Sequence, residues 1–481
     1  MFRPLPLCLP ILALVSALIA ADPPKKDEAP TKTTIPLTVS AMAEPRPALR
    51  YTLLPELKDM NPGNPIYAYT KCFAEQHNFY HQKSAVDQRE KWLVMPLKDL
   101  PLDEVMGNYG GYALRQADYA ARLDTPDWQL LLRAKSEGID LLLPDLQQQR
   151  SLASALIVRF RAEIAAKRFD DAVKTAQTLF ALSRHLSEHP SLIGNLVGIA
   201  IGSLSLRPLE EMLGQPGGPN LYWALTDLPS PFIDLRKGMQ GEKLCLFKEF
   251  APFDRDTPID AAEIDKVLKR LDQILHGIQL QEGLSASLSP AGGWIPVIEE
   301  KRPNPSDLLR ERAKDAALVG AARKRVVDMG SSEEKAKALP ALQILLIDAK
   351  NSYVIRRDDE AKWINTPWPK AEAAVSKLGK PGEFYEQLVP STTKIARART
   401  RLDQRFALLR HVEAVRLYAA AHGGKLPASL ADIDVPLPDD PFSGKPFPYA
   451  VEGKTAVIRG TPPRGMEKVA GFNVEYRVTI R

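Results

Sequence analysis

The sequence predicts a mainly α protein, an irregular helical array closed by a small C-terminal α+β module. Three observations carry that prediction. Apolar residues recur every three or four positions over most of the stretch 48–390, the signature of helices with one buried stripe. Clear period-two alternation comes only at the end, where Val474, Tyr476, Val478 and Ile480 alternate with Glu475, Arg477, Thr479 and Arg481. The composition is globular, with 44% hydrophobic and 26% charged residues in 481, which excludes a wholly disordered chain, a collagen and a polytopic membrane protein. Single cores stop growing at roughly 250–300 residues, so at least two domains are expected. Lys and Arg number 64 against 59 Asp and Glu, and a net +5 does not point to nucleic acid.

In chain order, residues 1–21 read as a signal peptide. Arg3 supplies the positive start, Leu5 to Ile19 is uncharged and mostly apolar, and Ala20-Ala21 offers small residues for cleavage. The apolar run falls short of the roughly 20 residues of a membrane span, so cleavage is favoured over a retained anchor. Export leaves Cys72 and Cys245, which form one disulfide or remain two buried thiols; their pairing cannot be read from sequence. Residues 22–47 are rich in Pro, Lys and Thr and read as a semi-extended tether. Leu49 to Leu54 is a candidate short strand, and Asn64-Pro65 then caps and starts the first helix.

The helical domain covers 48–390. Leu152, Leu156, Phe160 and Ile164 form one apolar stripe, and Phe169, Val173, Ala176 and Phe180 form the next after a break at Lys167-Arg168. Together they predict a helix hairpin. Gly194, Gly198 and Gly202 recur every four residues in the uncharged run Ser191–Leu206, predicting a core helix that a neighbour approaches closely. Gly283 to Pro305 is a candidate lobe boundary, with further helices expected near 307–328, 332–356 and 358–378.

Residues 391–481 form the predicted α+β module. Thr392 to His422 reads as one long helix with Ile395, Leu402, Phe406, Leu409 and Val412 inward and Lys394, Arg397, Arg399, Arg401 and Arg405 mostly outward, ended by Gly423-Gly424. An Asp-rich loop and three strands follow. The strand Val474–Ile480 and the helix each need the other as cover, so Tyr476 and Val478 are expected against the Leu402–Leu409 stripe.

Two resemblances enter here. The hairpin around Ala172 and Ala176 resembles a tetratricopeptide repeat, although no second copy follows at the repeat period. Tyr418, His422-Gly423-Gly424, Pro427, Leu430, Asp440-Pro441, Gly444, Pro446 and Tyr449 resemble the periplasmic part of pilins, most of all the major pseudopilin of the type II secretion system. That resemblance implies a pilin-like fold for the module and a calcium loop at its aspartates. Asp432, Asp434, Asp439 and Asp440 are the candidate ligands, and calcium takes several oxygens from such loops. The whole mature chain is similar to exported bacterial helical proteins of this layout, a resemblance that implies no activity.

Recognised catalytic motifs are missing from the sequence: there is no nucleophile elbow, P-loop, dinucleotide fingerprint or zinc-protease helix. His77 and His81, and His185 and His189, stand four apart, but neither pair brings a third ligand. The run Lys394–Arg410 is basic and could meet an anionic polymer or lipid headgroups. The reading that results is an exported periplasmic or envelope scaffold that works through protein partners, with no nucleic acid and no membrane span after cleavage. The alternatives are a hydrolase of envelope polymers with dispersed carboxylates, such as those near Asp358, Asp359 and Glu360, and an accessory of a type II secretion or pilus-like system.

Overall fold

A computed structural model describes residues 32–74, 76–254, 257–287, 304–380, 382, 384–389 and 392–481. The leader read at 1–21, the first part of the tether and most of the connection 283–305 lie outside those residues. The chain is mainly α: helices follow one another from Pro65 to Ala421, and a four-stranded sheet is completed at the C-terminal end.

The helix starts and stops obey local chemistry. Asn64 Oδ1 accepts from Ile66 N at 3.0 Å, and Pro65–Ala74 begins at the proline. Asp145–Ala165 and Phe169–His185 form the predicted hairpin, turned at Lys167 with φ +58°. Leu152, Leu156, Phe160 and Ile164 are fully buried. The later helices are more broken than their periodicity suggests. Asp315 caps Ala316–Asp328 through Ala317 N and Leu318 N, Pro340 precedes Ala341–Ala361, and Pro367 precedes Trp368–Val375. Leu49–Leu54 forms no strand; it has no partner strand, and Leu53 is instead buried among the helices.

Leu192–Leu204 carries no charge and continues past Ser205 as Leu206–Leu213. Together Leu192–Leu213 is long and apolar enough to cross a membrane, but 72% of its most apolar window is buried inside the protein. The glycine face admits a neighbour, as predicted. At Gly198 the Ser183 carbonyl oxygen lies 2.8 Å from where a Cβ would stand, and Ser183 Oγ donates to the Gly198 carbonyl at 2.7 Å. Gly198→Ala should therefore destabilise by about 1–3 kcal/mol in chemical denaturation. Gly320→Ala, on the exposed side of a helix with nothing within 4 Å, should stabilise by about 0.5–1 kcal/mol. A neutral Gly198→Ala would show that the two helices do not meet there.

The apolar side chains divide into two main cores. The larger runs from Leu37 to Met239 and resumes at Ile364, taking in the long C-terminal helix and the sheet. The smaller holds Leu246 to Leu275, Leu309 to Tyr353, and Phe384 and Tyr385. The chain thus leaves the larger core near 246 and re-enters it near 364. Gly283 to Ser287 does not open a connection, because the helix Ala261–Ser287 runs through it.

The sheet has the order β1-β4-β3-β2, with β1 at Thr33–Val39, β2 at Tyr449–Glu452, β3 at Thr455–Arg459 and β4 at Val474–Ile480. The predicted tail strands pair antiparallel, β2 with β3 and β3 with β4. The tether reading needs correction. Thr33–Val39 lies parallel to β4, with Ile35 opposite Tyr476 and Leu37 opposite Val478. The physical reason is that Leu37 and Val39, two apart on one strand face, become buried when β4 supplies a ladder; alone they had nothing to pack on.

The long helix Thr392–Ala421 also departs from expectation. Leu402, Phe406 and Leu409 share one core with Tyr476 and Val478, as predicted. Its arginines, however, do not form a solvated back. Arg399 and Arg416 are buried, Arg405 binds Glu210 and Tyr476, and the Arg397 and Arg401 guanidiniums lie 5.9 and 5.1 Å from the Phe472 ring centre. Carbonyls and a carboxylate surround Arg416; Glu210 and the Tyr476 hydroxyl meet Arg405; the Phe472 ring lies beside Arg397 and Arg401.

Candidate functional site

Ionisable side chains gather inside the hairpin. Helix Gly111–Ala120 brings Asp118, Asp145–Ala165 brings Arg159 and Glu163 one turn apart, and Phe169–His185 brings Thr175 and Thr178. Arg159 donates to both Asp118 oxygens at 2.9 and 2.6 Å and, through Nε, to Thr175 Oγ1 at 3.0 Å. Thr175 donates to Glu163 Oε2 at 2.7 Å, and Thr178 to Asp118 Oδ1 at 2.8 Å. Burial pushes the Glu163 carboxyl up to about 7, and the Arg159 cation pulls it back only in part. Two carboxylates about one guanidinium could in principle serve as acid and base. Here both are engaged by the arginine and the threonines, so the network pins three helices.

It has a measurable consequence. The folded Glu163 holds a proton that the unfolded chain, at its ordinary value of 4.5, has lost, so its contribution to stability falls as pH rises from about 4.5 to 7 and is constant above. Glu163→Gln removes that term. The variant should match the wild type near pH 5 and exceed it by on the order of 2–3 kcal/mol at pH 8. Urea titrations at both pH values check this; equal differences at the two would refute it.

The candidate ligand aspartates go separate ways. Asp432 closes a capping box, accepting from Ser429 N at 2.7 Å. Asp434 and Asp439 are exposed. Asp440 is fully buried and accepts from Phe442 N at 2.9 Å, Thr461 N at 2.6 Å and Gln404 Nε2 at 3.0 Å, a knot joining loop, strand end and helix. Among the described residues no group of three or more His, Cys, Asp or Glu is placed to hold a metal.

The histidine pairs differ from each other. His77 and His81 lie 4.6 Å apart, ring centre to ring centre. His185 shares a hydrogen bond with the Tyr69 hydroxyl at 3.1 Å, and His189 with Ser191 Oγ at 2.8 Å. Burial pushes both down to about 3 and so keeps them neutral. Ser191 Oγ meanwhile accepts from Gly194 N at 3.1 Å, so the Ser–His contact is a buried helix cap. Cys72 is a free thiol, which burial pushes up to about 12. Asp358, Asp359 and Glu360 take separate cations, Arg357, Lys362 and Arg356.

Two surface features remain. A cleft of about 360 Å³ in the smaller lobe is lined by Ile259, Ile264, Pro340 and Leu342, with an Arg310–Asp265 ion pair of 2.7 Å at its edge. Among the described residues, Asp265 is the one carboxylate in its lining, which holds no second carboxylate and no histidine. The second is an apolar ledge at the seam between the two cores. Helix Leu131–Glu137 buries only Ala134, leaving Leu131 and Leu132 55% and 81% exposed. Ile139 and Leu142 follow in sequence, both 38% exposed, and Phe247, 57% exposed, stands on the adjoining helix Phe247–Phe250. The sequence reading passed over these residues, because Leu131 and Leu132 look like any core pair until the fold turns them outward. Comparisons of this chain with protein-family models, with curated proteins and with solved structures found no match.

Proposed function

We propose that this protein is an exported scaffold of the periplasm or cell envelope that works by protein–protein contact. The observation that carries the reading is the ledge of Leu131, Leu132, Ile139, Leu142 and Phe247. Scattered exposed leucines are ordinary on a folded surface, but apolar residues gathered on one ledge mark a surface that another molecule covers. A seven-residue helix that buries one alanine also draws little stability from its own chain. Support comes too from the engagement of the Asp118–Arg159–Glu163 network in tying helices. Residues 391–481 serve in this reading as a pilin-like module recruited into the scaffold.

A photo-crosslinking residue placed at Leu132, in cells that make the protein, should yield a discrete protein adduct. The same residue at Leu318, 45% exposed in the smaller lobe, should not. The competing hydrolase reading would win if purified protein released soluble fragments from envelope glycan and Glu163→Gln abolished that release.

A further inference from the structure

We propose that the face where the start of the long C-terminal helix meets the 464–472 loop docks an acidic segment of a protein partner. This rests on the reading of a scaffold that works by protein contact, but on elements other than those of the ledge.

Lys394, Arg397 and Arg401 follow at spacings of three and four, so they share one side of the helix Thr392–Ala421. Lys394 is exposed, and the two arginines are half-buried. The loop that leads into β4 lies over the same side. Its Phe472 ring centre is 5.9 and 5.1 Å from the Arg397 and Arg401 guanidiniums. Gly471 passes so close that a Cβ there would stand 3.2 Å from Arg401 Nη1. The same loop carries Arg464, which is exposed. Helix Trp368–Val375 adds Glu372, which lies within the fields of both Arg397 and Arg464.

Glu372 does not balance these cations. Among the described residues it forms no ion pair with either arginine; burial pushes its carboxyl up, and Arg397 and Arg464 pull it back only in part. Arg397 has no hydrogen bond or ion pair among the described residues, and burial disfavours its charge more than Glu372 favours it. Glu467, the acid of the loop, accepts from Gly465 N at 3.0 Å. Arg405, further along the helix, shows what Arg397 lacks, since Glu210 and the Tyr476 hydroxyl meet it. A guanidinium held half out of water without an acceptor is costly, and a carboxylate that takes its N–H groups recovers that cost.

The surroundings select the occupant. The face is positive, so its complement is negative. Arg397 is half-buried, so the anionic group must be slender enough to reach it, as an Asp or Glu side chain on an extended segment is. No large apolar side chain of residues 364–375, 392–405 or 460–473 is exposed, so nothing on this face would enter a bilayer.

The test is fluorescence anisotropy of a labelled hexaglutamate peptide titrated with the purified full chain. Binding should saturate and weaken as salt is raised. Lys394→Glu with Arg464→Glu, both at exposed side chains, should weaken it at least about tenfold. Lys91→Glu with Lys98→Glu makes the same change in net charge at exposed positions elsewhere and should shift it less than about twofold. Arg397→Gln should weaken binding, and Arg397→Lys should recover only part of the loss, because the ammonium lacks the planar fork. Circular dichroism of each variant confirms that the fold persists. The proposal is overturned if hexaglutamate does not saturate, or if the two double variants lose binding equally. Capture by phosphatidylglycerol vesicles through Lys394 and Arg464, with no binding of the peptide, overturns it in favour of a membrane. If the peptide binds as expected but Leu132 yields no adduct, the ledge fails and the acidic-segment site stands. If Leu132 yields its adduct and the peptide does not bind, the site fails and the interaction reading stands.

Discussion

Removing Val474–Arg481 should unfold the larger core, not merely loosen the tail. β4 is central, with β1 on one side and β3 on the other, so its loss leaves β1 without a ladder and β3 paired only with β2. Val474, Tyr476 and Val478 are at most 1% exposed, and burying each contributes roughly 1.5–3 kcal/mol. Their sum is comparable to the roughly 5–15 kcal/mol that holds a whole domain. Tyr476 is also an anchor between elements, because its hydroxyl donates to Glu210 at 2.5 Å and accepts from Arg405 Nε at 3.1 Å. Limited proteolysis of the truncated chain should therefore cut residues 32–44 and 392–473 together, within the time that leaves the full chain intact. Protection retained at 32–44 would show that β1 is held by something other than β4.

The second large effect is expected at Arg416. Its guanidinium is wholly buried and donates to the carbonyls of Ser40, Gly218 and Pro219 at 3.0, 2.8 and 3.1 Å, and to Glu413 at 2.7 Å. Glu413 in turn accepts from Leu221 N at 2.8 Å. One side chain thus fastens the N-terminal segment and the 215–221 loop to the long helix. Arg416→Ala should cost about 3–5 kcal/mol, since it strands a buried carboxylate. An ordinary buried ion pair can be replaced on both sides by apolar residues with little loss. Here Glu413→Leu with Arg416→Leu should not rescue, because three carbonyls and one N–H remain without partners, at about 1–3 kcal/mol each. Urea denaturation of the single and double variants decides the matter. A double variant close to wild type would reduce the knot to a simple pair.

Much of this was legible in advance where a residue's neighbours in space are its neighbours in sequence. The hairpin at Lys167, the cap at Asn64, the glycine face at Gly198 and the strand Val474–Ile480 all follow from spacing of three, four or two along a short stretch. The packing of Leu402–Leu409 with Tyr476 and Val478 was legible for a related reason: each had one apolar face and no other cover in its segment. The candidate site was much less so. Asp432 to Asp440 cluster in sequence, but one caps a turn and another is buried beneath Gln404, because an aspartate's nearest amide or amide side chain is a matter of fold.

The sequence by itself determined the class, the helical segments and the alternation of the last strand, because propensity and periodicity act over a few residues. Only the tertiary structure decided that Thr33–Val39 completes a sheet whose other strands lie more than 400 residues on. It alone turned Leu131 and Leu132 to the surface while drawing Arg399, Arg405 and Arg416 inside. The reason is the same for both reversals. A leucine is buried, and a guanidinium tolerated, only according to what the rest of the chain brings alongside, and that partner is chosen across distances where no local pattern reaches.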